Sequence, residues 1–166
     1  GFSDDGNAPE DSTTRKAYDL ITEGFGPGFN GPLLLVTEVP ANPDQASFMA
    51  VTSAVSGEDG VAFASPPVPN DLSSPTALLW TVIPTTSPQS EATSELMTRL
   101  REDVIPRATS GSGLDISVTG SVAANVDFSS YLGKRLFLFF GVVLTLSFLL
   151  LMTVFRSVLV PVKAVI

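Results

Sequence analysis

Carboxylates are the reactive groups in which this sequence is rich. Its 17 Asp and Glu residues face 9 Lys and Arg, and it has no His and no Cys. Without Cys or His there is no disulfide framework, no thiolate zinc site, no Cys or Ser–His nucleophile and no histidine pH switch. Adjacent carboxylates occur at Asp4-Asp5, Glu10-Asp11, Glu58-Asp59 and Glu102-Asp103. Paired carboxylates serve general acid–base work only when the fold buries them together, and each of these pairs falls in a loop or at a helix end, where solvated charge is expected. Asp4, Asp5 and Asn7 around Gly6 faintly suggest a calcium loop, but the remaining ligand positions and the closing Glu are missing. No phosphate-binding Walker sequence occurs, and no motif supports a Ser–Lys nucleophile. Gly26, Gly28 and Gly31 form a G-x-G-x-x-G string. A dinucleotide loop must follow a strand and open a helix, whereas this one follows a helix pattern and opens a strand, with Pro27 and Pro32 removing backbone donors. A shaped connection is expected there. Trp80, the single tryptophan, is expected in the core or on the sheet rather than as a ligand platform. The sequence therefore predicts no enzyme, no cofactor and no metal. Its acidity also argues against nucleic acid as a partner.

The charge is unevenly placed, and the elements explain why. Residues 1–133 hold every acidic side chain and only Arg15, Lys16, Arg99, Arg101 and Arg107 as bases, a net charge of −12. Residues 134–166 hold Lys134, Arg135, Arg156 and Lys163 and no acid, a net charge of +4. This split accounts for a mean hydropathy of +0.33 in a chain of net charge −8. Leu136 to Phe155 is an uncharged run of 20 residues; as a helix it is about 30 Å long and matches the hydrocarbon thickness of a bilayer. A buried core helix is the alternative, but soluble helices of that length keep a polar face. Lys134 and Arg135 flank one end, Arg156 and Lys163 the other, so counting positive charge leaves the orientation tied. Gly1 and the apolar close at Ile166 read as cuts in a longer protein, with a C-terminal tail anchor as the competing reading.

Ahead of the span, 1–30 reads as a leading loop and a helix. Ser12 is its expected N-cap, Ala17, Leu20, Ile21, Gly24 and Phe25 its apolar face, and Gly24 to Gly26 its end. Two similar units follow in 31–120. Leu33–Val39 is a strand; Asn42 caps a helix, with Pro43 at its first position, Gln45 completing a capping box, and Phe48, Val51 and Val55 as its stripe; Val61–Ser65 is a strand followed by a proline-rich loop, Pro66–Pro75. Ala77–Ile83 is the next strand; Ser87 caps a helix with Pro88 at its first position, a buried face of Ala92, Leu96, Leu100 and Val104, i,i+4 pairs Glu95–Arg99 and Arg99–Asp103, and an end at Pro106. Leu114–Thr119 closes the order β-α-β-β-α-β. That is the α+β, ferredoxin-like split βαβ fold: a four-stranded antiparallel sheet with two helices on one face. Residues 121–156 continue as a connecting and transmembrane helix, with Val122, Val126 and Tyr131 at helical spacing, Asp127 outside the hydrocarbon and Tyr131 near the interface. Residues 157–166 begin another apolar segment.

Three blocks carry a family resemblance. Arg15 to Val36, RKAYDLITEGFGPGFNGPLLLV, resembles the MMPL family, mycobacterial-type large membrane proteins of the RND transporter superfamily, through Arg15, Ala17-Tyr18-Asp19-Leu20, Phe25-Gly26-Pro27-Gly28 and Asn30-Gly31-Pro32. Val118-Thr119-Gly120 with Asp127 downstream is the second block, and Val154 to Ala164, VFRSVLVPVKA, the third. The resemblance implies a proton-driven exporter of lipids or other hydrophobic compounds in the plasma membrane, multi-pass, of which this is the second extracytoplasmic porter domain and the next membrane helix. It places residues 1–133 outside and Arg156 on the cytoplasmic side, and makes the remainder of the transporter chain, membrane lipids and a hydrophobic substrate the partners. The family's proton-relay Asp and Tyr sit in other membrane helices; Leu136–Phe155 has no ionisable group, so none is assigned here. Lys134 and Arg135 are the candidate contacts for anionic lipid headgroups, with ordinary interfacial anchoring as the simpler reading. The rival functions are a tail-anchored binding or interaction domain without transport activity and, weaker for want of a nucleophile or metal constellation, a membrane-anchored hydrolase.

Overall fold

The computed structural model describes residues 4–42 and 44–155, apart from the side chains of Lys134 and Phe155. The expectations resting on Pro43, on Arg156 and Lys163, on most of the third block and on the segment 157–166 lie outside the described residues. Chain contacts divide the protein into two compact units, Gly1–Val126 and Asp127–Ile166.

The first unit is built on an antiparallel sheet. Its strands are β1 (Leu33–Glu38), β2 (Val61–Ala64), β3 (Val68–Pro69), β4 (Ala77–Pro84) and β5 (Ile116–Thr119). In space the order is β2-β4-β1-β5, with β3 also pairing to β4. Two central strands flanked by the second and last is the expected ferredoxin-like order. β3 was not expected: it prolongs the β2 edge past Pro66 and Pro67, pairing Val68 with Leu79 and Pro69 with Leu78. A two-residue strand inside a proline-rich loop leaves no alternation to detect.

Strand period and register build the core. In β1, Leu33, Leu35 and Thr37 point inward, and in β4, Leu78, Trp80 and Val82 do. The register sets Leu35 between Trp80 and Val118, one row across three strands. Helices α2 (Gln45–Ser56) and α3 (Glu91–Arg99) cover this face with Phe48, Val51, Val55, Leu96 and Met97. Trp80 is fully buried; its indole Nε1 donates to Thr52 Oγ1 at 2.9 Å, and its ring lies 6.3 Å from that of Phe48. The buried Thr37 hydroxyl donates to Asp115 O at 2.8 Å.

Several local expectations are corrected. α2 is capped by Asp44, not Asn42: its carboxylate accepts from Ala46 N at 3.0 Å and from Ser47 Oγ at 2.7 Å. Asp caps as well as Asn, and here it stands next to the first helical residue. α3 begins at Glu91 rather than after Ser87. Ser87 to Ser90 form a turn closed by Ser90 N donating to Ser87 O at 3.0 Å, with Pro88 supplying the fixed φ that a turn's second position favours. The buried face keeps Leu96, Leu100 and Val104 as expected, but Ala92 is exposed and Thr93 is buried instead, its hydroxyl donating to Ser87 O at 2.8 Å. Pro106 does not end the helical path. A π-helical turn, Leu100–Val104, widens it so that Ile105 N donates to Leu100 O, and Pro106 then falls in the first turn of α4 (Ile105–Ala108), where no backbone donor is needed. Arg99 leaves the helix surface, donating from Nε to Glu58 Oε1 at 3.0 Å and from Nη2 to Asp59 O at 2.9 Å, so neither expected i,i+4 partner holds it; Asp103 pairs with Arg107 instead.

Helix α1 (Thr13–Phe25) is capped by Ser12, whose hydroxyl accepts from Arg15 N at 3.2 Å, and stops at Gly26, φ +99°. The expected residues do share one apolar face, but none of its side chains is buried. The last helix, α5 (Ser121–Phe155), runs from one unit into the other; in the first unit its Val122 and Ala123 join the core.

Candidate functional site

The first unit carries an apolar cleft of 640 Å³, lined by Val39, Gln45, Phe48, Met49, Pro67, Pro69, Pro75 and Leu78. Asp44 starts α2 so that its first turns present Gln45, Phe48 and Met49. The opposite wall is the proline-rich loop, which side-chain bonds hold in shape. Asp71 accepts from Ser73 N at 2.7 Å and Ser74 N at 3.2 Å, and Asn70 Oδ1 accepts from both Thr76 N and Ala77 N at 3.0 Å. These bonds favour the ionised carboxylate, so the Asp71 pKa lies below the ordinary 3.8; at Asp44 the Ser47 hydroxyl and the Ala46 amide do the same. The volume suits a small-molecule site. Its wall is almost wholly apolar, with Gln45 the polar exception, so it can bind an apolar group by burial and offers no acid or base for catalysis. Sequence reasoning missed the cleft, because its walls come from four separated segments. The signal available was the density of prolines in 66–75.

The carboxylate pairs are dispersed. Glu58 is bound to Arg99, Asp103 to Arg107, and Asp19 to Arg15 at 2.8 Å. Asp4, at the supposed calcium loop, caps a 3₁₀ turn (Asp5–Asn7) by accepting from Gly6 N at 2.8 Å. The neighbouring Tyr18 phenol is held above its ordinary pKa of 10.0, by burial first and then by the charge of Asp4. Among the described residues no three acidic side chains gather as a metal site.

The glycine string sits as a connection between α1 and β1, as expected, and the close packing around it shows why small residues are required. A Cβ on Gly28 would lie 1.8 Å from Pro84 O, and one on Gly31 2.4 Å from Pro88 Cγ. The loop presses on the end of β4 and the following turn, leaving no space for a pyrophosphate between them.

In the second unit α5 is apolar on every side: Phe137, Leu138, Phe140, Leu146, Leu150 and Val154 are all exposed. Ser121–Val154 is long and apolar enough to cross a membrane. Two of its hydroxyls bond within the helix: Thr145 Oγ1 donates to Gly141 O at 2.7 Å and Thr153 Oγ1 to Leu149 O at 2.8 Å. Of the two candidate headgroup residues, Arg135 lays its guanidinium 5.3 Å from the centre of the Tyr131 ring, a cation–π pair at the head of the span. Lys134 is the preceding helical residue, and its side chain is outside the description.

An apolar helix long enough to cross a membrane thus follows a small α+β unit. The sequence model of the MMPL family matches residues 35–166. The chain belongs to the MMPL family. A protein named Membrane protein YdfJ, from Bacillus subtilis (strain 168), is 36% identical over 167 aligned residues, covering 99% of this chain and 22% of that protein. This MMPL chain thus spans about a fifth of that relative's length. The family match begins inside β1, so the block of Arg15 to Val36 lies mostly ahead of it; the similarity to the Bacillus protein covers that block too.

Proposed function

We propose that this chain is part of a proton-driven RND/MMPL-type transporter that exports lipids or other hydrophobic compounds. In this reading residues 1–133 form an extracytoplasmic porter domain, α5 crosses the plasma membrane once within a multi-pass protein, and Arg156 lies on the cytoplasmic side. The observation that carries it is membership of the MMPL family together with a helix that is uncharged over Leu136–Phe155, long enough to cross a membrane and continuous with an α+β unit. The apolar cleft supports a hydrophobic cargo, since Gln45 is its one polar lining side chain and no charged group lines it. In this reading the proton relay lies elsewhere in the polypeptide, which the lack of ionisable groups in Leu136–Phe155 supports. The length of the Bacillus relative favours this reading over a tail-anchored binding domain. The partners are then the rest of the transporter chain, membrane lipid and the cargo. Lys134 and Arg135, at the outer end of the span, are suited to anionic headgroups.

The test uses the full-length protein in proteoliposomes with an imposed pH gradient and labelled lipid. Gradient-dependent lipid movement is expected, and Met49→Asp in the cleft should slow it without lowering the amount of folded protein. Absence of gradient-dependent movement would overturn the transporter reading. Replacing Lys134 and Arg135 by Gln should weaken binding of anionic vesicles; unchanged binding and export would remove the headgroup role.

A further inference from the structure

The 640 Å³ cleft is walled by chain segments that carry charge of one sign. Its lining residues fall between Val39 and Leu78, and from residue 17 to residue 98 the sequence has no Lys, Arg or His. Three carboxylates flank the lining residues along the chain. Glu38 precedes Val39, Asp44 precedes Gln45, and Asp71 follows Pro69 by two positions. With about 3.8 Å between consecutive Cα atoms, each starts within roughly 8 Å of a lining residue, about one Debye length at physiological salt. All three are exposed, so burial does not neutralise them. The three bases that follow the stretch are engaged: Arg99 with Glu58, Arg107 with Asp103, and Arg101 with Val118 O at 2.8 Å. An apolar concavity ringed by charge of one sign focuses that field and concentrates ligands of the opposite sign.

We propose that the cleft selects lipophilic cations, small molecules with a compact apolar body and one positive charge. The body is buried against Phe48, Met49, Pro67 and Leu78, while the charge stays hydrated at the rim near Glu38, Asp44 and Asp71. A cation held at the rim escapes the desolvation cost of a buried one. An anion of the same shape meets like charge there, and only the Gln45 amide lines the wall as a donor. Phosphodiester and carboxylate lipids are therefore the disfavoured cargo. This preference rests on the cleft being the cargo site proposed above. It is read at equilibrium, with no gradient and no transport, so its failure is distinct from failure of the transporter reading.

The test uses the full-length protein, freed of other reactive cysteines, in an uncharged detergent, with Met49→Cys as reporter. Met49 is 57% exposed, so the change leaves the core intact. Labelling by an uncharged maleimide is timed against tetraphenylphosphonium and tetraphenylborate, ions of one shape and opposite charge, at free concentrations read with ion-selective electrodes. Three carboxylates about a Debye length away should let the cation protect at about a tenth of the concentration the anion needs, with the ratio shrinking in about 1 M salt. Replacing Glu38 by Gln, and Asp44 and Asp71 by Asn, keeps the acceptor oxygens that cap α2 and hold the loop but removes the charge. The two ions should then protect about equally, with the ligand-free labelling rate unchanged as the check on folding. Glu38→Gln alone, away from both sets of capping bonds, should narrow the ratio part-way. Equal potency in the parent, stronger protection by the borate, protection by neither ion, or a ratio unmoved by these substitutions would each overturn the proposal.

Discussion

At the scale of single residues, the packing makes sharp claims. Gly28→Ala drives a Cβ into the backbone carbonyl of Pro84, a neighbour that cannot rotate away. It should destabilise the protein by about 3 kcal/mol, the upper end of the overpacking range, or more. Gly57→Ala, whose nearest new contact is 3.4 Å, should stay within about 1 kcal/mol of the parent. Thermal unfolding followed by circular dichroism separates the two. Thr52→Val leaves the buried Trp80 Nε1 without its acceptor and should cost about 1–3 kcal/mol in urea unfolding monitored by tryptophan fluorescence. The carboxylates of Asp44 and Asp71 have folded pKa values below the ordinary 3.8, so their stabilisation is complete above that pH and is lost as pH falls through the folded values. Carbon-13 titration of the detergent-solubilised protein should give both midpoints below 3.8; an ordinary midpoint at Asp44 would remove its capping role. Trp80 was legible as core from its strand, but the fate of Arg99 was not. Its partners Glu58 and Asp59 lie about forty positions away, on the turn leading into β2.

Among the elements, what periodicity can encode was readable, and what depends on competition between close alternatives was not. The stripes of β1, β4 and α2 specify the core because a period of 2 or 3.6 sorts inward from outward side chains. Helix starts were harder. Asn42 and Asp44 are both good caps, as are Ser87 and Ser90, and no local rule ranks two acceptors a few residues apart. Asp44 caps α2 with its side chain, whereas α3 starts after Ser90 with no side-chain cap at all. Pro106 read as a stop because a regular helix cannot absorb it; a π-helical turn can, and no composition signals one in advance. The cap assignment for α2 has a direct test. Asp44→Ala should lower stability and speed hydrogen exchange at the Ala46 amide, while Asn42→Ala should change neither. The reverse pattern would restore Asn42 as the cap.

For the whole molecule, the acidic average and the positive hydropathy describe two different solvents. The first unit carries 16 acidic and 5 basic residues, a net −11 suited to water, and the uncharged run Leu136–Phe155 in α5 is suited by length and composition to a bilayer. The cleft and the outward face of α1 were invisible or only half visible in the sequence for the same reason. Amphipathicity shows that a helix has an apolar side, yet which way that side points is set by contacts remote in the chain. If residues 1–133 lie outside the membrane and Arg156 inside, the two ends of α5 must differ in access from water on opposite sides. Single cysteines at Ser73, in the loop between β3 and β4, and at Ser157, beyond the span, test this in a full-length background freed of other reactive cysteines. A membrane-impermeant maleimide applied to intact cells should label Ser73→Cys and spare Ser157→Cys until the membrane is opened. Labelling of both in intact cells would mean that α5 does not cross, and the reverse pattern would turn the protein over. The reverse pattern would also put Lys134 and Arg135 out of reach of outer-leaflet headgroups.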